Sequence, residues 1–147
     1  MKRRVAREYV LQFLYAWDMN EKLRNSYDYN TVQEELESFW ERNIVDNKDI
    51  KTFANKIIEG TLENLSQIDG IIKNYANKWD IDRMITIDRN ILRFSIYEIL
   101  FCPDIPFQVT INEAVEIAKK YSTKESAAFI NGILDRIAKE KEKCPPS

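Results

Sequence analysis

The sequence predicts an all-α fold, and three observations support this prediction. Apolar residues recur every three or four positions along most of the chain, which is the period of an amphipathic helix. The chain has 3 glycines in 147 residues, whereas average usage gives about ten, so folds rich in tight turns are disfavoured. No segment alternates apolar and polar residues over the length of a strand.

Four helices are predicted in the first half. The first covers about residues 3–18, and residues 19–30 lose its period and are predicted to form a loop. Its apolar stripe consists of Val5, Tyr9, Val10, Phe13, Leu14 and Trp17. A capping box at Thr31 and Glu34 begins the second helix. The third opens at residues 46–49, and caps at Ser66 and Asp69 begin the fourth, which extends to Trp79.

The second half contains three more predicted helices. The segment at about 86–101 is apolar on more than one face, so we expect it to be buried on several sides. Pro103 and Pro106 end it, because proline cannot continue the hydrogen-bond ladder of a helix. The sixth helix covers about 108–121, Ser122 and Thr123 offer the next cap, and the seventh covers about 125–141.

Gly132 lies inside the last predicted helix. A glycine there costs about 1 kcal/mol relative to alanine. We expect close packing of a neighbouring helix at this position, an explanation that is compatible with ligand contact.

The residues that are absent exclude several kinds of catalytic site. With no histidine, the chain cannot form a Ser-His or Cys-His nucleophile pair or a zinc site that uses imidazole. No glycine-rich nucleotide motif is present, and Cys102 and Cys144 are expected to be reduced thiols. Asp80, Asp82 and Asp88 do not have the spacing of metal ligands and are predicted to be cap and surface residues. We therefore expect neither an enzyme nor a cofactor or metal.

A cluster of positive charge at the start is the sharpest electrostatic feature. Lys2, Arg3, Arg4 and Arg7 are opposed nearby only by Glu8, although the whole chain has a net charge of −2. Arg3 and Arg7 share one helical face, which suits contact with a phosphate backbone. A solvated terminus that aids solubility is the alternative.

Tyr15 lies two turns beyond Arg7 and outside the centre of the apolar stripe. A partly exposed tyrosine beside arginines gives an unpaired base a surface to stack on. The alternative is that Tyr15 lies at the edge of the core.

Residues 87–137 contain the strings DRNILR, YE, DIP, INEA and FINGILD, and the chain opens with RRVAREYVLQFLYAWD at residues 3–18. On these residues the chain resembles the NusB family of transcription antitermination factors. Residues 19–80 match in helical pattern only. The resemblance implies seven helices in two three-helix subdomains, and we expect one domain over 1–147 with halves at about 1–79 and 80–141.

The resemblance also implies a function. Members of this family bind the single-stranded boxA element of ribosomal RNA leaders together with the ribosomal protein NusE, and they suppress premature termination in the transcription elongation complex. It implies that Arg3, Arg4 and Arg7 contact RNA, with Lys2 in the same basic start, and that a homodimer can form. Further positions are implied to contact RNA (Tyr15, Glu125 and Phe129) or NusE (Asp88, Arg93 and Tyr97).

Two alternatives remain open from sequence. One is the RNA-recognition domain of a ribosomal RNA cytosine methyltransferase, which needs a cofactor fold that these residues do not contain. The other is a helical protein–protein adapter with no RNA role. Because the basic start leads directly into a charged amphipathic segment without a membrane-spanning run, we expect a cytoplasmic protein. We also expect the first helix and the start of the last to lie side by side as a cradle for RNA.

Overall fold

The computed structural model describes residues 2–24, 27–76 and 81–143, apart from the side chain of Asp82. Within these residues the chain forms eight α-helices, one short 3₁₀ helix and no strand, so the all-α prediction is confirmed. The helices are α1 (Lys2–Met19), α2 (Glu21–Arg24), α3 (Tyr29–Arg42), α4 (Lys48–Glu63), α5 (Leu65–Ala76), α6 (Thr86–Phe101), α7 (Phe107–Tyr121) and α8 (Lys124–Lys143), and the 3₁₀ helix is Ile81–Arg83. The expectations for Trp79, Asp80 and Cys144 fall outside the described residues.

The structure differs from the sequence prediction at α2 and at the start of α3. The short helix α2 lies in the segment predicted to be a loop. Asp28, not Thr31, caps α3: its carboxylate accepts hydrogen bonds from the backbone nitrogen of Thr31 at 3.2 Å and from its hydroxyl at 3.0 Å. The expected cap before the last helix is confirmed, because Thr123 Oγ1 accepts from the backbone nitrogen of Ser126 at 2.9 Å.

The first unit covers residues 1–63, and aromatic rings join α1 to α3 in its core. The ring centroids of Tyr9 and Trp40 are 5.4 Å apart, and those of Phe13 and Phe39 are 5.5 Å apart, with edge-to-face geometry in each pair. The indole of Trp40 also donates a hydrogen bond to Asn55 in α4. Val5 was expected on the buried stripe, but it is 40% exposed because it lies on the solvent side of α1.

In the second unit, residues 64–147, α6 packs against α5, α7 and α8. This arrangement confirms that α6 is buried on several sides. Four of its apolar side chains have no exposed surface at all: Ile91, Leu92, Phe94 and Ile96. Cys102, which follows α6, is buried and is not part of a disulfide within the described residues.

The division between the units follows Glu63, earlier in the chain than the expected boundary near residue 80. Polar contacts hold α5 in the second unit: Asp69, expected as a helix cap, pairs instead with Arg93 of α6 through two hydrogen bonds at 2.8 and 2.9 Å. The hydroxyl of Tyr75 donates to Glu140 of α8, and this hydrogen bond raises the pKa of Tyr75 to about 12. The fourth predicted helix therefore belongs with the three that follow it.

The Arg93–Asp69 pair supplies a first prediction. The side chains are only 11% and 24% exposed, so Arg93→Met leaves a carboxylate without its partner and should lower the free energy of unfolding by about 3 kcal/mol. Urea denaturation followed by circular dichroism measures this change. The double variant Asp69→Leu with Arg93→Met should regain most of the loss, whereas an unchanged midpoint for Arg93→Met alone would show that the pair is not structural.

Candidate nucleic-acid interface

The basic start of the chain forms the first turns of α1, and its cations differ in exposure. Lys2 and Arg3 are exposed and Arg4 is half-buried. Lys2 Nζ lies 3.9 Å from a carboxylate oxygen of Asp49, and the guanidinium carbon of Arg3 lies 4.6 Å from the ring centroid of Phe53. Positive charge is therefore available to solvent at this end of α1, chiefly from Lys2 and Arg3.

Arg7 departs from the expectation of an exposed phosphate contact. Its side chain is 2% exposed, and its guanidinium carbon lies 5.2 Å from the same Phe53 ring. The face that Arg3 and Arg7 share is turned towards α4, because a planar cation is attracted to the face of an aromatic ring. The structure therefore corrects the role of Arg7, which acts inside the first unit rather than on its surface.

Tyr15 lies outside the buried apolar stripe of α1, as the sequence predicts. It is 41% exposed, while Val10, Leu14 and Trp17 on the neighbouring stripe are buried. Its ring is thus accessible to a stacking partner, and an RNA contact at Tyr15 stays a prediction.

In the second unit, Asp88 joins the start of α6 to the turn between α7 and α8. One carboxylate oxygen accepts from the hydroxyl of Ser122 at 2.7 Å, and the other accepts from the hydroxyl of Ser126 at 2.5 Å. The residue is only 6% exposed, so the surface role expected for it is wrong. Burial of a carboxylate is tolerated here because charge-assisted hydrogen bonds replace its water.

Beside Asp88, a cavity of about 180 Å³ that is partly open to solvent brings predicted residues together. Asp88, Glu125 and Phe129 line it with Ser126, and Glu125 is exposed while Phe129 is half-buried. The sequence analysis missed three other lining residues: Arg83, Met84 and Ile85. Ile85 is 57% exposed, and the apolar pair Met84–Ile85 directly before a predicted helix was the sequence signal for it.

The cavity is smaller than the roughly 300 Å³ at which pockets for drug-sized ligands begin. Its apolar wall suits one flat ring, which the ring of Phe129 can contact. The Glu125 carboxylate can accept a hydrogen bond from an amino group, and Arg83 places a cation at the same cavity. These are the groups needed to hold one unpaired base and to neutralise a neighbouring phosphate.

Comparisons with known proteins show which family the chain belongs to. A model described as the NusB family matches residues 4–139. The chain belongs to the NusB family. It is 72% identical over 142 residues to the transcription antitermination protein NusB of Thermodesulfovibrio yellowstonii, covering 96% of this chain and 94% of that protein. The same protein of Myxococcus xanthus is 42% identical over 139 residues, covering 92% and 94% of the two chains.

Solved structures of the family have the same fold. A crystal form of T. maritima NusB superimposes with a TM-score of 0.76 at 42% identity, covering 94% of this chain and 91% of that one. A structure described as antitermination factors NusB and NusE in complex with dsRNA gives a TM-score of 0.79 at 28% identity, covering 95% and 97%. The resemblance found in the sequence is confirmed.

The residues expected to contact a protein partner are buried in this NusB-family chain. Arg93 is 9% exposed and is held by Asp69 and by the side-chain oxygen of Asn90. Tyr97 is also 9% exposed and stacks on Phe101, with ring centroids 5.2 Å apart. Like Asp88, both residues lie beneath the surface. Phe101, which is 39% exposed, is the accessible member of the Tyr97–Phe101 stack.

A second basic segment, at the turn between α7 and α8, was missed by the sequence analysis. Lys119, Lys120 and Lys124 are exposed there, and Lys120 Nζ lies 5.3 Å from the ring centroid of Tyr121, which is 38% exposed. The signal was present as the string KKYSTK at residues 119–124, three cations and an aromatic ring within six residues. It lies directly before Glu125 and Phe129.

The described part of the chain contains neither a cluster of metal-ligand residues nor a membrane-spanning helix. No group of histidine, cysteine, aspartate or glutamate residues in residues 2–24, 27–76 and 81–143 could hold a metal ion. Across those same ranges, no helix has the length and apolar character required to span a bilayer.

The contrast between Arg3 and Arg7 gives a second prediction. Arg7→Ala should lower the free energy of unfolding by about 2–4 kcal/mol, because it removes a buried side chain that packs on Phe53. Arg3→Ala should cost less than about 1 kcal/mol. Thermal melts of the two variants check this order, and equal melting temperatures would contradict the assignment of Arg7 to the interior.

Proposed function

We propose that this chain is an RNA-binding transcription antitermination factor that acts in the cytoplasm without a cofactor and without enzymatic activity. It binds the single-stranded boxA element of ribosomal RNA leader transcripts together with NusE in the transcription elongation complex. The observation that carries this proposal is the cavity on which Asp88, Glu125 and Phe129 converge, in a chain of the NusB family.

The cavity supports recognition of an unpaired base rather than of a duplex. Bases in single-stranded RNA can leave the stack and pack on aromatic side chains, and their edges then form hydrogen bonds with the protein. Phe129 supplies the ring and Glu125 an acceptor for a base amino group. Because Asp88 and Ser126 fix the first turn of α8, both groups are positioned before RNA binds.

The first turns of α1 supply the electrostatic part of the proposal. Lys2, Arg3 and Arg4 attract phosphates, and Tyr15 offers a further ring for stacking. Arg7 contributes indirectly by holding α1 against Phe53. So few exposed cations support only modest affinity, and the dependence on salt should be correspondingly shallow.

NusE is the proposed protein partner, as its presence beside a related NusB suggests. Asp88, Arg93 and Tyr97 are positioning residues in this proposal, since each is buried. The exposed Phe101, which stacks on Tyr97, is then an accessible apolar anchor for the partner. A homodimer remains part of the proposal as a form of the free protein.

The alternatives receive less support. The matched region covers 94% of the length of each of two curated relatives that are named as antitermination proteins. This coverage gives no support to a methyltransferase. An adapter without an RNA role differs by its response to salt, because its binding would not depend on the cations of α1.

Replacing Phe129 tests base stacking. Phe129→Leu keeps an apolar side chain but removes the ring, and it should weaken binding to a boxA-like single strand about tenfold, since stacking contributes about 1–3 kcal/mol per base. Fluorescence anisotropy measures the affinity, and circular dichroism melts report any loss of fold. Phe107→Leu is the matched control, because Phe107 is also half-buried but lies outside the cavity. If the two variants lose affinity equally, Phe129 does not stack on RNA.

Removing two exposed charges from α1 tests the electrostatic part. Lys2→Gln with Arg3→Gln should reduce the slope of log affinity against log salt by about 1.4, at about 0.7 per neutralised phosphate of a single strand. The control is Lys48→Gln with Lys56→Gln, which removes the same charge from exposed positions of α4. A salt response that is flat in the unmodified protein would favour the adapter.

A further inference from the structure

On the side of α8 away from the Phe129 cavity, a groove lies between α7 and α8, with an apolar floor of Val115, Ala127 and Ala128. Its volume is about 550 Å³, and its polar lining consists of Asn112, Glu116 and Lys119 from α7 and Lys124 and Asn131 from α8. Lys119 lies 3.6 Å from Glu116, so Lys124 tips the balance of charge in the groove towards the positive. The two asparagine amides offer donors and acceptors.

Between the groove and the cavity, the outer surface of α8 carries little side-chain material. Ala128, which also lines the groove, and Gly132 are exposed there one helical turn apart. A Cβ atom at Gly132 would meet nothing within 4 Å, so the expected packing of a neighbouring helix at this glycine is wrong. Gly70 in α5 has the same open surroundings, but neither the cavity nor the groove includes its helix. Gly132 therefore differs from Gly70 in that it lies between the groove and the cavity.

We propose that the RNA strand held at Phe129 crosses α8 over Ala128 and Gly132 and continues into the α7–α8 groove, where Lys119 and Lys124 neutralise phosphates and Asn112 and Asn131 bond to base edges. This inference rests on the proposed function and extends its site. The absence of bulky side chains lets a sugar-phosphate backbone lie against the helix. Continuity with the Phe129 cavity through α8 and the two lysines favours a nucleic-acid strand over an apolar peptide.

The decisive variant is Gly132→Gln, because stability and binding should change in opposite directions. Glutamine is a better helix former than glycine, so the melting temperature should rise by about 3 °C. The new side chain stands in the proposed path, so affinity for an extended boxA-like single strand should fall about tenfold. Gly70→Gln is the matched control: it should give a similar rise in melting temperature with unchanged RNA affinity.

RNA length locates the effect. A short boxA-like strand that reaches only the Phe129 cavity should bind Gly132→Gln as well as the unmodified protein. Of two strands extended by about four nucleotides, one at each end, the one whose extension crosses α8 should reveal the loss. Lys119→Gln with Lys124→Gln should lower the salt slope by about 1.4 for one of the extended strands and not for the short one. The control pair Lys73→Gln with Lys143→Gln should leave the slope unchanged.

The outcomes separate the two proposals. If the unmodified protein binds none of these RNAs, the proposed function fails. If it binds them and Gly132→Gln binds extended strands with the same affinity, the path across α8 is overturned while the proposed function stands. If Gly132→Gln reduces only the binding of purified NusE, the groove is a protein interface and the RNA path is likewise overturned.

Discussion

The buried carboxylate of Asp88 is the constraint on which the second unit depends. It accepts hydrogen bonds from Ser122 and Ser126, which lie 34 and 38 positions further along the chain. These hydrogen bonds connect the start of α6 to the turn that begins α8. Because the carboxylate is only 6% exposed, the loss of either hydrogen bond would leave a buried acceptor unsatisfied. The consequence reaches the surface, because the same turn of α8 carries Glu125 and, one turn on, Phe129. These internal hydrogen bonds thus fix the position of the exposed Glu125 and the half-buried Phe129.

The cations of α1 show that charge in a sequence does not equal charge on a surface. Arg3 and Arg7 approach the same Phe53 ring, yet only Arg3 is exposed. A guanidinium group sheds water more readily than an ammonium group and stacks on aromatic faces, so it can enter the interior where lysine would not. The run of four cations therefore divides into three that reach solvent to different extents and one, Arg7, that packs inside the first unit.

The sequence predicted the seven long helices because each buries a stripe that repeats with the helical period, a local property. It could not predict how distant polar residues pair. Arg93 meets Asp69 across 24 positions, and nothing in the local pattern around either residue indicates that contact. The same limit explains Asp88, whose two serines are brought to it only by the fold. Tyr97 was similarly expected at a partner surface, although its ring stacks beneath Phe101.

Local competition accounts for the remaining differences. Asp28 and Thr31 are both good capping residues, and only the backbone geometry decides that Asp28 accepts the hydrogen bonds at the start of α3. Gly132 is a related case, because a glycine inside a helix predicts close packing of a neighbouring helix, whereas the surroundings of Gly132 are open.

The division of labour between charge and stacking explains why a protein of this kind should act with a partner. A few exposed cations and one or two aromatic rings supply limited free energy, and that free energy is spread along a flexible strand that loses entropy when it is ordered. A second protein that holds the same RNA raises the effective concentration of the strand at these contacts without any change in the contacts themselves. Modest intrinsic affinity then becomes the basis of selectivity, because only a transcript that engages the two proteins together is held firmly.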